Sequence, residues 1–315
     1  MTALRNLAAV LAALAPPLAA AGCGLGAGGS DQGEAELRVT RDYGSEVLLE
    51  ATAEDPANSD TVMRFLDREA EISTRFGGGF VQSIEGISGG VADGRSVDWF
   101  FYVNGVESAV GAAEAPVRPG DRIWWDHRDW TDAMRVPVVV GSYPEPLAQA
   151  AAEAEREPVR VECAAERRAC EGVAERLAAG GVDLDTERFP ARGGSPDAMR
   201  VLVGEWRELR EDRAAAVIED GPAASGVFAG FDPAGGAWEL VALDRTGAEA
   251  ERARSAGLVA ATAGEGEPPT WLVTGTDAAG VGAAAGMLGE ETLRDRYALA
   301  VVGGSELPLP AGGEG

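Results

Sequence analysis

The chain has no lysine and a single histidine, His127. Its 27 basic residues are all arginines, set against 52 acids for a net charge of −25. Neutralising phosphates needs a basic surface, so this balance excludes a nucleic-acid partner. It also opposes electrostatic docking on anionic lipid. The lone histidine narrows acid–base chemistry, because a Ser-His-Asp or Cys-His arrangement has to use His127. Asp126, Asp129 and Asp132 stand close enough in sequence to orient it, but no Gly-x-Ser-x-Gly elbow supplies a nucleophile. The same four residues are metal-ligand types without a specific spacing. A chain without lysine has no P-loop, and the glycine-rich turn Thr274–Gly286 does not match Gly-x-Gly-x-x-Gly. Tight strand–helix packing explains those glycines, with Thr276 or Asp277 as the helix cap. We expect no catalytic residue, no metal and no resident cofactor; a hydrolase using His127 is the least supported alternative.

Long apolar runs are also missing after the N-terminus. Arg5 and the run Leu7–Leu18, too short to span a bilayer, read as a signal segment. Ala20-Ala21-Gly22-Cys23 reads as a lipobox, so residues 1–22 are expected to be removed and Cys23 acylated. The alternative is an ordinary secretory signal with an incidental cysteine. Both export the chain, and acylation places it on the outer face of the cell membrane. The glycine-rich stretch 23–35 then serves as a tether. Two cysteines remain, Cys163 and Cys170. In an oxidising compartment pairing is the default. On one helix their Cα atoms would lie about 10 Å apart, too far for a disulfide. A bond therefore requires Cys163 to end a strand and Cys170 to lie early in a helix.

What the chain does have is aromatic density in one place. Aromatics make up 6% of the chain. Yet Val97–Trp130 holds Trp99, Phe100, Phe101, Tyr102, Trp124, Trp125 and Trp130. Large rings on two short strands suit a face for a flat ligand or a partner; they equally suit a small aromatic β core. Residues 36–146 read as two short strands, a helix capped by Ser59 or Asp60, and several more strands. Gly77–Gly79 suggest a bulge or close backbone approach. Asn104-Gly105 is a hairpin turn, and Arg118-Pro119-Gly120-Asp121 suits a type II turn. DWFFYV is apolar on both faces and should be covered on both. An Ala/Glu-rich linker, 147–157, leads to 158–302. There, strands alternate with helical stretches at about 165–179, 207–219, 248–255 and 278–288, implying an α/β domain with a mostly parallel sheet. The tail 303–315 is expected to be loose.

The ordered motifs SDTVMRFL, ISTRFGGGFVQSIEGI, DWFFYVNGVESAVGAA and VRPGDRIWWDHRDW resemble the transcobalamin-like C-terminal domain. That is a soluble-ligand-binding β-grasp module of bacterial surface lipoproteins, matched here over about residues 37–146. The resemblance implies an α+β β-grasp fold for this part. It also implies a small-molecule ligand of the corrinoid (cobalamin-like) type, delivered to a membrane transporter. The residues it turns toward the ligand are Gly77, Gly78, Gly79 and Phe80, with Trp99, Tyr102 and Asn104; the aromatic face adds Trp124 and Trp125. The helical partner domain of the vitamin carriers is absent, so His127 does not carry over as a cobalt ligand. A non-catalytic envelope interaction module is the alternative, with the aromatic face buried against the second domain or a partner chain.

Overall fold

Alternation of apolar and polar residues in ELRVT and EVLLEATA makes the first two strands, β1 (Glu34–Arg41) and β2 (Glu46–Glu54), an antiparallel hairpin. Its turn runs through Asp42, Tyr43 and Gly44, all at positive φ. The computed structural model describes residues 33–57, 59–148, 158–191 and 197–312, all within one compact unit, Gln32–Gly315. The signal segment, Cys23 and most of the expected tether and linker lie outside the described residues.

Helix α1 (Val62–Glu69) buries Val62, Met63, Phe65 and Leu66, residues at i, i+3 and i+4 spacing that share one face. Its cap is Thr61, whose Oγ1 accepts from Arg64 N, rather than Ser59 or Asp60. Asp60 pairs with Arg68 instead. The chain continues through β3 (Ile72–Arg75), β4 (Phe80–Ile84), β5 (Ile87–Ser88) and β6 (Gly90–Ala92). It then runs through β7 (Arg95–Val103), β8 (Val106–Glu107) and β9 (Arg122–Asp129). Asn104 and Gly105 turn β7 into β8 with φ of 54° and 75°, as a type I′ hairpin requires. The sheet order is β2-β1-β9-β7-β6, with β1 and β9 parallel at its centre. Strands β3-β4-β5 form a separate small sheet.

Period two sorts the aromatic strands onto two faces. Trp99, Phe101 and Trp125 join the core under α1, whereas Tyr102 and Trp124, with Phe100 beside them, face the second half of the chain. Both faces of DWFFYV are thus covered.

The second half runs β10 (Val159–Cys163), α2 (Arg167–Ala179), β11 (Leu184–Arg188) and β12 (Arg200–Glu205). A series of short helical turns then leads to β13 (Ala229–Ala234), β14 (Ala237–Leu243) and β15 (Glu249–Ala253). The chain ends in β16 (Ala256–Thr262), β17 (Thr270–Gly275), α3 (Ala278–Gly286), β18 (Ala298–Val302) and β19 (Ser305–Leu309). Its seven-stranded sheet has the order β11-β10-β12-β17-β16-β18-β19.

Four corrections to the sequence reading follow. The sheet is mixed rather than mostly parallel, since β16, β18 and β19 pair antiparallel. The connections into β17 and β19 are too short for the crossover a parallel pair needs. The stretch 248–255 holds the strand β15, which pairs with β14 and carries Arg252 and Arg254 onto Glu239. The expected helix 207–219 breaks into single turns, Trp206–Leu209 and Arg213–Ala216 and a 3₁₀ turn at Val217–Asp220. The tail is ordered as far as the described residues run: Gly303-Gly304 make a tight turn, and β19 closes the sheet edge with Leu309 buried.

The halves 36–146 and 158–302 share one core rather than standing apart. Tyr43, Tyr102 and Trp124 pack with Trp206, Phe228 and Tyr297 in a single buried cluster. Tyr297 meets Tyr43, Tyr102 and Trp124 edge-on at centroid distances of 5.0, 5.8 and 5.3 Å. The polar centre of this seam is Asp126, fully buried. It accepts from Thr40 Oγ1 at 2.6 Å, Tyr297 OH at 2.9 Å, and the backbone N–H of Tyr43 and Gly44 at 3.1 Å each. Arg128, also fully buried, lies 3.8 Å from the Phe100 ring centroid and donates to the carbonyls of Ala133 and Met134.

Candidate functional site

Burial divides the nine residues expected to face a ligand. Trp99, Tyr102, Asn104, Trp124 and Trp125 are 0–5% exposed. Trp99 Nε1 donates to Ile87 O, Trp124 Nε1 to Thr40 Oγ1, and Asn104 bridges Asp121 and Arg122 N. These five side chains are committed to the interior and the turns. These five residues are therefore core and seam, whereas Phe100, Phe101 and Trp130 of the same segment are half-buried.

Gly77, Gly78, Gly79 and Phe80 come together at the surface, on the tip of the β3–β4 hairpin. Beside them stands Phe76, 87% exposed, its ring 6.2 Å from that of Phe80 in an edge-on arrangement. Val110 extends this apolar surface from the neighbouring loop, where Gly111 lies next to the Gly79 carbonyl. Phe76, Gly77 and Gly78 all have positive φ, at 53°, 74° and 95°. A Cβ built on Gly77 or Gly78 meets nothing within 4 Å. Of the bulge and the close approach expected here, the β3–β4 pair shows a register irregularity at Ser73/Thr74, and Gly77 and Gly78 serve the positive φ of the turn rather than a close approach. For a bulky residue such as Phe76 the left-handed conformation costs about 1–2 kcal/mol. The hairpin is anchored from below by Val81 and Ile84 in the α1 core. A rigid stem thus holds two phenylalanines in water, one on strained backbone. Neither feature helps the fold, and strain of this kind gathers at contact sites. Sequence reading missed Phe76, although the symmetric arrangement F-GGG-F carries it.

The inner strands β7 and β9 hold the remaining chemistry. His127 packs on Trp99 at 5.0 Å, and its Nε2 lies 3.2 Å from the Ser88 carbonyl, not from a hydroxyl. Burial raises the Asp98 carboxyl, opposed by the Trp99 N–H it accepts and by the charges of His127 and Arg75. Asp129 and Asp132 are held by Arg95. Asp129 titrates below the ordinary carboxylate range, because these bonds outweigh its burial. Asp126 is in the seam. The four residues of the DHRDWTD run are therefore dispersed, and no group of three or more His, Cys, Asp or Glu is placed to hold a metal among the described residues.

The Cys163–Cys170 disulfide is formed, with Cα atoms 6.0 Å apart. Cys163 ends β10 and Cys170 lies in the first turns of α2, the geometry that the spacing demanded. No helix among the described residues is long and apolar enough to cross a membrane.

Residues 59–128, under a quarter of the chain, match the family named Domain of unknown function (DUF4430). That span holds α1, the hairpin tip and the aromatic strands, and none of the second half. No curated protein matches the chain. Among solved structures, the chain is similar to a crystal structure of a "putative metal binding protein" from Ruminococcus gnavus. The identity is 15%, covering 31% of this chain and 97% of that one, with a TM-score of 0.24. A likeness this low carries no functional argument.

Proposed function

We propose that the protein is a non-catalytic, lipid-anchored binding protein of the outer cell-membrane face, whose β-grasp half contacts a soluble ligand through the Phe76–Phe80 tip. The observation that carries this reading is the tip itself: two exposed phenylalanines on a strained, glycine-rich turn above a well-packed stem. The β-grasp assignment is supported by the first hairpin, the helix after it, and a last strand parallel to the first at the sheet centre. By its resemblance to the transcobalamin-like domain, a corrinoid is the ligand class, and a membrane transporter the recipient. Two phenyl rings offer an apolar clamp for a flat ligand, each ring contact contributing about 0.5–1.5 kcal/mol beyond the area it covers.

Titration calorimetry with cyanocobalamin tests this. Wild type should bind, and the double variant Phe76→Ala/Phe80→Ala should lose binding while keeping its fold. Absence of heat with wild type at millimolar cobalamin refutes the corrinoid assignment; retention of binding by the double variant refutes the tip. A second reading, an envelope interaction module, is favoured by the burial of Tyr102 and Trp124 against Tyr297. In it the tip meets a protein partner instead of a small molecule.

A further inference from the structure

The second half carries a cleft that the tip does not use. Strand β10 lies between β11 and β12, all three parallel. The chain leaves β10 through α2 to β11 on one side, then crosses to β12 on the other. In open α/β sheets this reversal opens a crevice at the carboxyl ends of the strands, and ligands bind there. At this place the protein has a cleft of about 700 Å³. Its walls are the turns that follow β10 and β12 and the facing sides of α2 and α3.

The glycines of the two helices separate packing from space. A Cβ on Gly280 would fall 2.1 Å from the Ala256 carbonyl, so that glycine lets α3 lie against β16. Gly172, Gly282 and Gly286 line the cleft, and a Cβ on any of them meets nothing within 4 Å. None of these three has a positive φ. Glycine in a helix interior is destabilising relative to alanine. Gly172 and Gly282 lie inside their helices, and neither packing nor backbone geometry accounts for them; an open cleft does.

The rim is charge-balanced in a strongly acidic chain. Arg168, Arg176 and Arg207 stand with Glu166, Glu205 and Glu208. Arg207 pairs with Glu205 at 3.1 Å, and Arg176 donates to the Leu288 carbonyl. Arg168, Glu166 and Glu208 have no ion pair among the described residues. The N-terminus of α2, beside Arg168, has no side-chain cap. One end of the cleft therefore favours an anionic group, while unpaired carboxylates beside it favour a cationic one. The Cys163–Cys170 disulfide ties the turn Ala164–Glu166, which forms this wall, to α2.

We infer that this cleft binds a small zwitterion with an unhindered body, a short peptide of two or three residues. Its carboxylate sits at Arg168, its ammonium at Glu208, and its backbone in the glycine-lined groove between them. The volume lies in the range of small-molecule sites and exceeds what a single amino acid fills.

Calorimetry on the full chain, with dialanine as probe, tests this. Wild type should bind at micromolar to submillimolar concentration. Gly282→Leu, which fills the groove, and Arg168→Ala, which removes an unpaired exposed cation, should each weaken binding by about tenfold or more. Dialanine capped at both ends, which lacks both charges, should bind as weakly. Gly282→Ala should melt at or above the wild-type temperature. Absence of dialanine binding to wild type at millimolar concentration overturns the proposal. So does unchanged affinity in both variants, or capped dialanine binding as well as the free form. A lower melting temperature for Gly282→Ala would assign that glycine to packing and remove the argument for a groove kept open. The tip variants leave dialanine binding unchanged, which separates this site from the corrinoid reading.

Discussion

In alkali the protein should behave as a molecule that titrates between about pH 9 and 12 through its four tyrosines, three of them locked in one seam and the fourth, Tyr143, in the neighbouring core, where burial raises it too. The chain has no lysine, its arginines stay charged, and it has four tyrosines. Burial pushes Tyr43 and Tyr297 well above their ordinary value and Tyr102 up to about 12. The folded state therefore holds phenolic protons that the unfolded chain releases from about pH 10, and stability falls as pH rises through that value. Each such group costs about 1.4 kcal/mol per pH unit, so the three together remove about 4 kcal/mol by pH 11 and about 8 by pH 12. Against a total stability of about 5–15 kcal/mol, unfolding should set in between about pH 11 and 12. Tyrosinate absorbance and far-ultraviolet circular dichroism, followed in one titration, should change together and steeply. In Tyr297→Phe one group is gone, and with Tyr143 also raised the slope of stability against pH should fall by about a quarter to a third. At neutral pH that variant also loses the 2.9 Å bond to Asp126, worth about 1.5–3 kcal/mol. More than one tyrosine ionising near pH 10 while the circular dichroism remains native would refute the seam as described, since only Tyr143 lies outside it.

Further perturbations bear on the same architecture. Asp126→Asn sets an amide N–H₂ against groups that already donate, and should destabilise by about 1–3 kcal/mol in chemical denaturation. Burial raises the Asp126 carboxyl, so the fold favours its neutral form. Wild type should therefore gain on the variant as pH falls from neutral, and a gap that narrows instead would contradict this. Replacing Cys163 and Cys170 by serine opens a short loop and should cost about 2.5 kcal/mol, read as a shift in denaturant midpoint. Phe76→Ala should leave stability within about 0.5 kcal/mol of wild type, or raise it, because the ring touches little and its backbone is strained. Fragments 33–146 and 158–312 expressed apart should each fail to show a cooperative melt, since each would expose half of the seam.

Local chemistry was legible wherever a few neighbouring residues decide the outcome. Asn104-Gly105 announced its hairpin, Val62, Phe65 and Leu66 their helix face, and the seven-residue spacing of the cysteines their turn. What failed was decided at a distance. Trp99 and Trp124 stand on adjacent paired strands, one under α1 and the other against Tyr297, some 170 residues away in sequence. No local pattern distinguishes a ring facing solvent from one facing a distant strand. The stretch 248–255, expected as a helix between strands, holds β15 instead, and its Arg252 pairs across a hairpin with Glu239. The exposed Phe76 was overshadowed by the tryptophans, although in a chain with few aromatics the one left in water is the more informative.

The place of β1 has a mechanical consequence. The strand follows directly on the chain's first described residue, Gly33, and lies inside the sheet, with β2 on one side and β9 on the other. Its pairing with β9 is parallel and in register from Glu36 to Arg41. A pull on the chain ahead of Gly33, directed along the strand, loads both ladders in shear, so their hydrogen bonds must fail together instead of one at a time. Arg38, bonded to Asp295 in the second half, carries part of that load across the seam. Whatever holds this protein by its N-terminal side holds it by a strand paired along both edges.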